Sequence, residues 1–150
     1  MQNKSFLPYV IAAICGIVLV GSMTRNAMQA RDGGGRVDWA PDVDSAMALA
    51  QDEGKLVLID FYADWCGPCK QMDKEAFTDK SVVAMLDGVV PVRVDVDDPS
   101  INGDWIARFG PSAIPMVVVL DSDGRELGRN VGYGGVKSFK RELARMIGGS

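Results

Sequence analysis

The sequence predicts an α/β domain built on a central mixed β-sheet with helices on both faces. Three observations carry this. The run Leu56, Val57, Leu58, Ile59, Asp60, Phe61, Tyr62 is apolar around a single acid, as expected of a strand buried on both faces. It is followed at once by helix formers, with Pro68 tolerable only in a first helical turn. The order of elements along the chain is β-α-β and then β-β-α, which places parallel and antiparallel neighbours in one sheet.

Taken in order, the 150 residues allow one small domain plus extensions, and 47% hydrophobic residues suffice for a core. From Ser5 to Thr24 there are twenty residues without a charge, about 30 Å as a helix, enough to cross the hydrocarbon core of a bilayer. Residues 1–24 are therefore expected to be a transmembrane anchor or signal segment. The apolar stretch is long for a signal peptide, which favours an uncleaved anchor, although Val20-Gly21-Ser22 is an acceptable small-residue cleavage site. Cys15 is expected to be a lipid-phase thiol, since Ile14 stands where a lipoprotein signal needs a small residue. Residues 25–37, with Gly33-Gly34-Gly35, read as a flexible tether, and residues 38–150 as the folded domain.

Within that domain Pro41-Asp42 opens a helix to about Glu53, with Gly54 at its end and Trp39 expected to pack beneath it. Asp60 breaks the apolar strand that follows. After Trp65 the chain turns helical through Cys66-Gly67-Pro68-Cys69-Lys70; Thr78-Asp79-Lys80-Ser81 interrupts the pattern, and Val82, Val83, Met85 and Leu86 resume it. Val89 to Val96 is a second core strand. Asp95, Asp97 and Asp98 lack the glycine and closing glutamate of an EF-hand loop and read as a solvated strand end. A helix around Gly103 to Phe109 leads to Ile114-Pro115, a strand from Met116 to Leu120, a turn at Asp121-Ser122-Asp123-Gly124 and a strand from Arg125 to Val131. A closing amphipathic helix spans about Val136 to Ile147, with Phe139, Leu143, Met146 and Ile147 inward. The formal charge of −4 becomes −6 once residues 1–30 are set aside, because that stretch holds Lys4 and Arg25 and no acid; a nucleic-acid partner is not expected.

The chemistry is expected at the two cysteines. A C-x-x-C pair reads as half a zinc site, a structural staple or a redox pair. Zinc needs four ligands, but the chain has no histidine and only Cys15 besides this pair, and a staple closing so short a loop constrains the unfolded chain little. Redox chemistry remains, with no metal or organic cofactor required. Cys66, at a helix N-terminus where unpaired N–H groups and the helix dipole favour a thiolate, is expected to be exposed and to attack. Cys69, one turn deeper on the same face and within disulfide reach, is expected to resolve the mixed disulfide.

Trp65-Cys66-Gly67-Pro68-Cys69-Lys70 resembles the active-site motif of thioredoxin, and Asp60 matches that family's buried acid six residues before the first cysteine. The resemblance covers about residues 38–147. The wording Asp60-Phe61-Tyr62-Ala63-Asp64-Trp65-Cys66, then Phe77-Thr78-Asp79-Lys80-Ser81-Val82-Val83, looks most like the C-terminal thioredoxin-like domain of the DsbD family of thiol:disulfide interchange proteins, with Gly-Pro between the cysteines as in thioredoxin itself. It implies the thioredoxin fold, a cis proline at Pro115 after Ile114, and a groove glycine at Gly132. Substrate is then expected to lie along Trp65, Gly67, Pro68, Ile114, Pro115 and Gly132. Met116 stands where thioredoxin usually has threonine and is expected to border the groove. Asp60, buried beneath the cysteines, is the candidate general acid/base for the Cys69 proton, through water; the bland alternative is a structural ion pair with Arg93, which aligns with the family's lysine.

The resemblance thus implies a reductase of protein disulfides, fed by an upstream dithiol electron donor and tethered by its N-terminal segment to a bacterial inner membrane, with the domain in the periplasm. Cleavage would instead release a periplasmic protein. The flanks carry Lys4 on one side and Arg25, Arg31 and Arg36 on the other, so orientation rests on the resemblance and not on charge. Alternatives are a net oxidant or isomerase, or a non-catalytic binding module or holdase on the same fold.

Overall fold

The computed structural model describes residues 36–149. The expected anchor at residues 1–24 and nearly all of the tether lie outside them; among the described residues no helix is long and apolar enough to cross a membrane. The elements are α1 (Val43–Glu53), β1 (Leu56–Tyr62), α2 (Gly67–Glu75), α3 (Lys80–Met85), β2 (Val89–Asp95), α4 (Pro99–Phe109), β3 (Met116–Leu120), β4 (Glu126–Val131) and α5 (Val136–Ile147).

The strands form one mixed sheet in the order β2-β1-β3-β4. β1 runs parallel to β2, with Asp60 opposite Arg93, and antiparallel to β3, with Asp60 opposite Val117; β3 and β4 form an antiparallel pair. Strand alternation divides β1 between two cores. Val57, Ile59 and Phe61 join Val90, Val92, Val94, Val118 and Leu120 under Val43, Ala46 and Ala50 of α1 and Phe109 of α4. Leu58 joins Val89, Val117 and Val119 under Met72 of α2 and its C-cap Ala76, Val82 of α3, and Phe139, Leu143 and Met146 of α5. By the same alternation Asp60 falls on the second face, the one covered by the helix that carries the cysteines.

Local signals explain most boundaries. Asp42 caps α1 by accepting a hydrogen bond from the Ser45 N–H at 2.7 Å, and Gly54 ends that helix in a left-handed conformation with φ 64°. Asp79 caps α3 through the N–H groups of Ser81 and Val82. α4 starts earlier than the sequence suggested, because Asp98 accepts from the Ser100 N–H at 3.1 Å and Pro99 occupies the first turn. Its backbone departs from helical geometry at Asn102, a buried residue whose side-chain oxygen accepts the Val43 N–H at 3.1 Å and so caps α1 from a distant part of the chain.

Two expectations are corrected. Trp39 packs not beneath α1 but on the opposite face, edge-on to Phe77 at 4.9 Å between ring centroids. Ala40 forms a bridge to Val92, with its N–H bonded to the Pro91 carbonyl at 2.8 Å, and Ala40 itself packs on the α1 side. In an extended segment the preceding residue must then point the other way. Met116 does not present its side chain to a groove: it is 3% exposed and sits in the first core with Phe61, Val94 and Phe109. Met116→Thr is therefore expected to lower stability by about 2–4 kcal/mol, through lost packing and a buried hydroxyl. Chemical denaturation checks this, and an unchanged midpoint would remove Met116 from the core.

Candidate active site

β1 delivers the chain to the site. Beyond Tyr62 the backbone closes a tight turn in which the Cys66 N–H donates to the Ala63 carbonyl at 3.1 Å, and α2 begins at Gly67. Cys66 is the N-cap of that helix: its Sγ accepts the Cys69 N–H at 3.2 Å, and Pro68 occupies the first turn, where its missing N–H costs nothing. Cys66 and Cys69 form a disulfide with a Cα separation of 5.3 Å. Cys66 was expected to be exposed; in the disulfide it is 3% exposed and Cys69 1%. Capping turns the Cys66 sulfur back over the helix end, where the pair packs with Ala63, Tyr62, Val96 and Ile114.

Around the disulfide the structure assembles most of the residues singled out in the sequence. The Ile114–Pro115 peptide bond is cis. The Pro115 carbonyl accepts the Gly132 N–H at 2.7 Å, and Gly132 holds φ 83°, a left-handed conformation that favours glycine. Gly67 and Pro68 are exposed. Trp65 is 69% exposed, yet its indole N–H donates to Asp97 Oδ2 at 2.7 Å, which holds the ring beside the disulfide turn. Asp97 lies among acids whose sequence pattern is that of a solvated strand end; nothing local in the sequence links it to a tryptophan 32 residues away.

Asp60 is fully buried, and its Oδ2 accepts from Arg93 Nε at 3.1 Å while its Oδ1 has no hydrogen-bond partner among the described residues. Burial is the largest influence on this carboxyl and raises its pKa from 3.8 to about 7; Arg93 opposes the rise, and the Asp73 carboxylate adds to it. Asp60 thus carries an ion pair on one oxygen and a bare second oxygen. Arg93 also reaches Asp73 on α2, with Nη2 3.0 Å from Oδ1, and its guanidinium lies 4.0 Å from the centroid of the Tyr62 ring and 5.3 Å from that of Trp39. Asp73 carries no motif of its own, although its position four residues after Cys69 on one helix is a signal for a shared face.

Residues 38–122 match the thioredoxin-like family. The chain belongs to the thioredoxin-like family. Over 115 residues it is 36% identical to the thiol:disulfide interchange protein DsbD of Ralstonia nicotianae, a match covering 75% of this chain but 19% of that protein, so the chain spans about a fifth of the length of this curated relative. Among solved structures it resembles the reduced C-terminal domain of Neisseria meningitidis DsbD, at 26% identity and a TM-score of 0.57, covering 69% of this chain and 92% of that one. A thioredoxin from Thermus thermophilus is 29% identical with a TM-score of 0.64, covering 73% and 85% of the two chains. For this thioredoxin-like chain, the cysteine pair and these likenesses together support thiol:disulfide exchange and a thiol-disulfide oxidoreductase.

Because the Asp60 proton is held more tightly in the folded chain than in the unfolded one, the associated stability is complete below about pH 4 and is lost as pH rises to the folded value of about 7. Relative to Asp60→Asn, the oxidised protein is expected to lose up to about 4 kcal/mol across that window. Denaturant unfolding of both proteins at several pH values measures it, and parallel stability curves would show that Asp60 titrates normally.

Proposed function

We propose that the chain reduces protein disulfides by dithiol/disulfide exchange. The observation that carries this is the Cys66–Cys69 disulfide at the N-terminus of α2, beside the cis Ile114–Pro115 bond, in a thioredoxin-like chain. In the reduced protein the Cys66 thiolate attacks one sulfur of a substrate disulfide, forming a mixed disulfide and releasing the first substrate thiolate. Cys69 then gives up its proton and attacks the Cys66 sulfur, which expels the second substrate thiolate and leaves the Cys66–Cys69 bond. Two electrons pass to the substrate, and an upstream dithiol donor must return them for another cycle.

Cys66 takes the attacking role because its sulfur lies outside the first helical turn and accepts a helix N–H, an arrangement that stabilises a thiolate. Asp60 takes the Cys69 proton. Its elevated pKa and bare Oδ1 support this, since a general base works best when poised near the operating pH. Substrate lies along Trp65, Gly67, Pro68, Ile114, Pro115 and Gly132, pairing with the backbone at the cis proline. The uncharged stretch from Ser5 to Thr24 supports an inner-membrane anchor, and the DsbD likeness supports a place in the bacterial cell envelope with this domain in the periplasm.

Cys69→Ser is expected to accumulate substrates as mixed disulfides on Cys66, whereas Cys66→Ser accumulates almost none and loses reductase activity. Asp60→Asn keeps the first attack and slows release of the mixed disulfide by about a hundredfold. Non-reducing gels and single-turnover kinetics separate these steps, and equal trapping by the two cysteine variants would reverse or erase the assignment. For topology, a reporter fused after Ser150 should be exported and membrane-bound; a soluble exported protein beginning near Met23 would show cleavage instead.

A further inference from the structure

The guanidinium of Arg93 serves two carboxylates on two different elements. Its Nε donates to Asp60 Oδ2 at 3.1 Å, and its Nη2 lies 3.0 and 3.1 Å from the two oxygens of Asp73. Tyr62 and Trp39 pack on the guanidinium, from β1 and from the segment that leads into the domain. Side-on engagement of Asp60 by both Nε and Nη2 would take Nη2 from Asp73. The result is lopsided: Asp73, with a side chain 34% exposed, engages Nη2 through both oxygens, while buried Asp60 receives a single N–H and keeps Oδ1 bare.

We propose that Asp73 and Arg93 are positioning residues for the exchange reaction: Asp73 holds the Arg93 guanidinium away from full engagement with Asp60, and so leaves Asp60 Oδ1 free to take up a proton. The charged groups facing Asp60 are few. β2 contributes Arg93 and α2 contributes Asp73, while β3 places Val117 opposite it and α5 covers this face with Phe139, Leu143 and Met146. Tyr62, the next residue of β1 on this face, packs on the guanidinium, and the sulfurs of α2 do not titrate while bonded. Arg93 lowers and Asp73 raises the Asp60 pKa, as the geometry requires. Because a guanidinium does not lose its proton, the balance between the two acids is set by position and not by a third titration. Only the kinetic consequence of this inference rests on Asp60 as the base for Cys69.

The test is a carboxyl NMR titration of the full-length oxidised chain, with the Asp60 signal assigned by its absence in Asp60→Asn. Asp73→Asn is expected to lower the Asp60 midpoint by about one pH unit, since it removes one negative charge and frees the guanidinium. Asp73→Glu should hold the midpoint, and Arg93→Gln should raise it. In single-turnover release of a mixed disulfide, the same one-unit fall would make Asp73→Asn about tenfold faster than the parent well below the midpoint. An Asp60 midpoint that stays put in Asp73→Asn, with or without a uniform loss of rate, overturns the proposal and leaves Asp73 a structural residue. A midpoint that moves while the pH dependence of release does not upholds the coupling and instead refutes Asp60 as the base.

Discussion

Asp60 is a carboxyl at the centre of the sheet, and the cost of keeping it there governs the arrangement around it. An ionised carboxylate so deep in apolar surroundings loses its hydration, and one Arg93 N–H replaces only part of it. The fold answers in two ways. It lets the pKa rise, so that the neutral acid is available near pH 7, and it sets a permanent cation opposite on the parallel neighbour strand, so that the ionised form is also tolerated. Both forms are then accessible within one site, as the proposed proton transfer requires.

The same strand fixes the sulfurs. β1 is interior to the sheet, flanked by β2 and β3, and its last residues lead into the turn that makes Cys66 a helix cap. Strand alternation places Asp60 on the face that α2 covers, and helix periodicity places Asp73 one turn beyond Cys69. Arg93 then joins sheet and helix through that pair of acids. Pro115 and Gly132 are tied backbone to backbone, so the edge proposed to receive an extended substrate is held by a hydrogen bond as well as by the sheet.

Much of this was legible because it is local. The apolar run of β1, Pro68 in a first helical turn, the spacing of Cys66 and Cys69 and the amphipathic stretch of α5 each announce themselves within a dozen residues. What stayed hidden depends on which way a side chain points once distant segments pair. Trp39 was placed on the wrong face because its direction follows from the Ala40–Val92 bridge, which pairs segments about fifty residues apart. Met116 looked like a groove residue because it follows the proline at the site, but strand parity after Pro115 sends its side chain into the α1 core. The burial of Cys66 follows from its sulfur acting as the helix cap, a detail that C-x-x-C spacing does not contain. Asp98 and Pro99, a cap followed by a first-turn proline, were a readable helix start obscured by the neighbouring acids.

The choice of arginine at position 93 gains meaning in this setting. A lysine ammonium is a compact point charge that can itself give up a proton when buried, so a lysine beside Asp60 would be a second titrating group in the same relay. The guanidinium is planar and permanently charged, and it presents separate N–H groups in fixed directions, which lets one side chain address two carboxylates without belonging wholly to either. Its central carbon also lies 4.0 Å from the centroid of the Tyr62 ring, a cation–π contact. In the proposed proton transfer Asp60 is then the titrating partner, and the permanently charged cation beside it would act through position only.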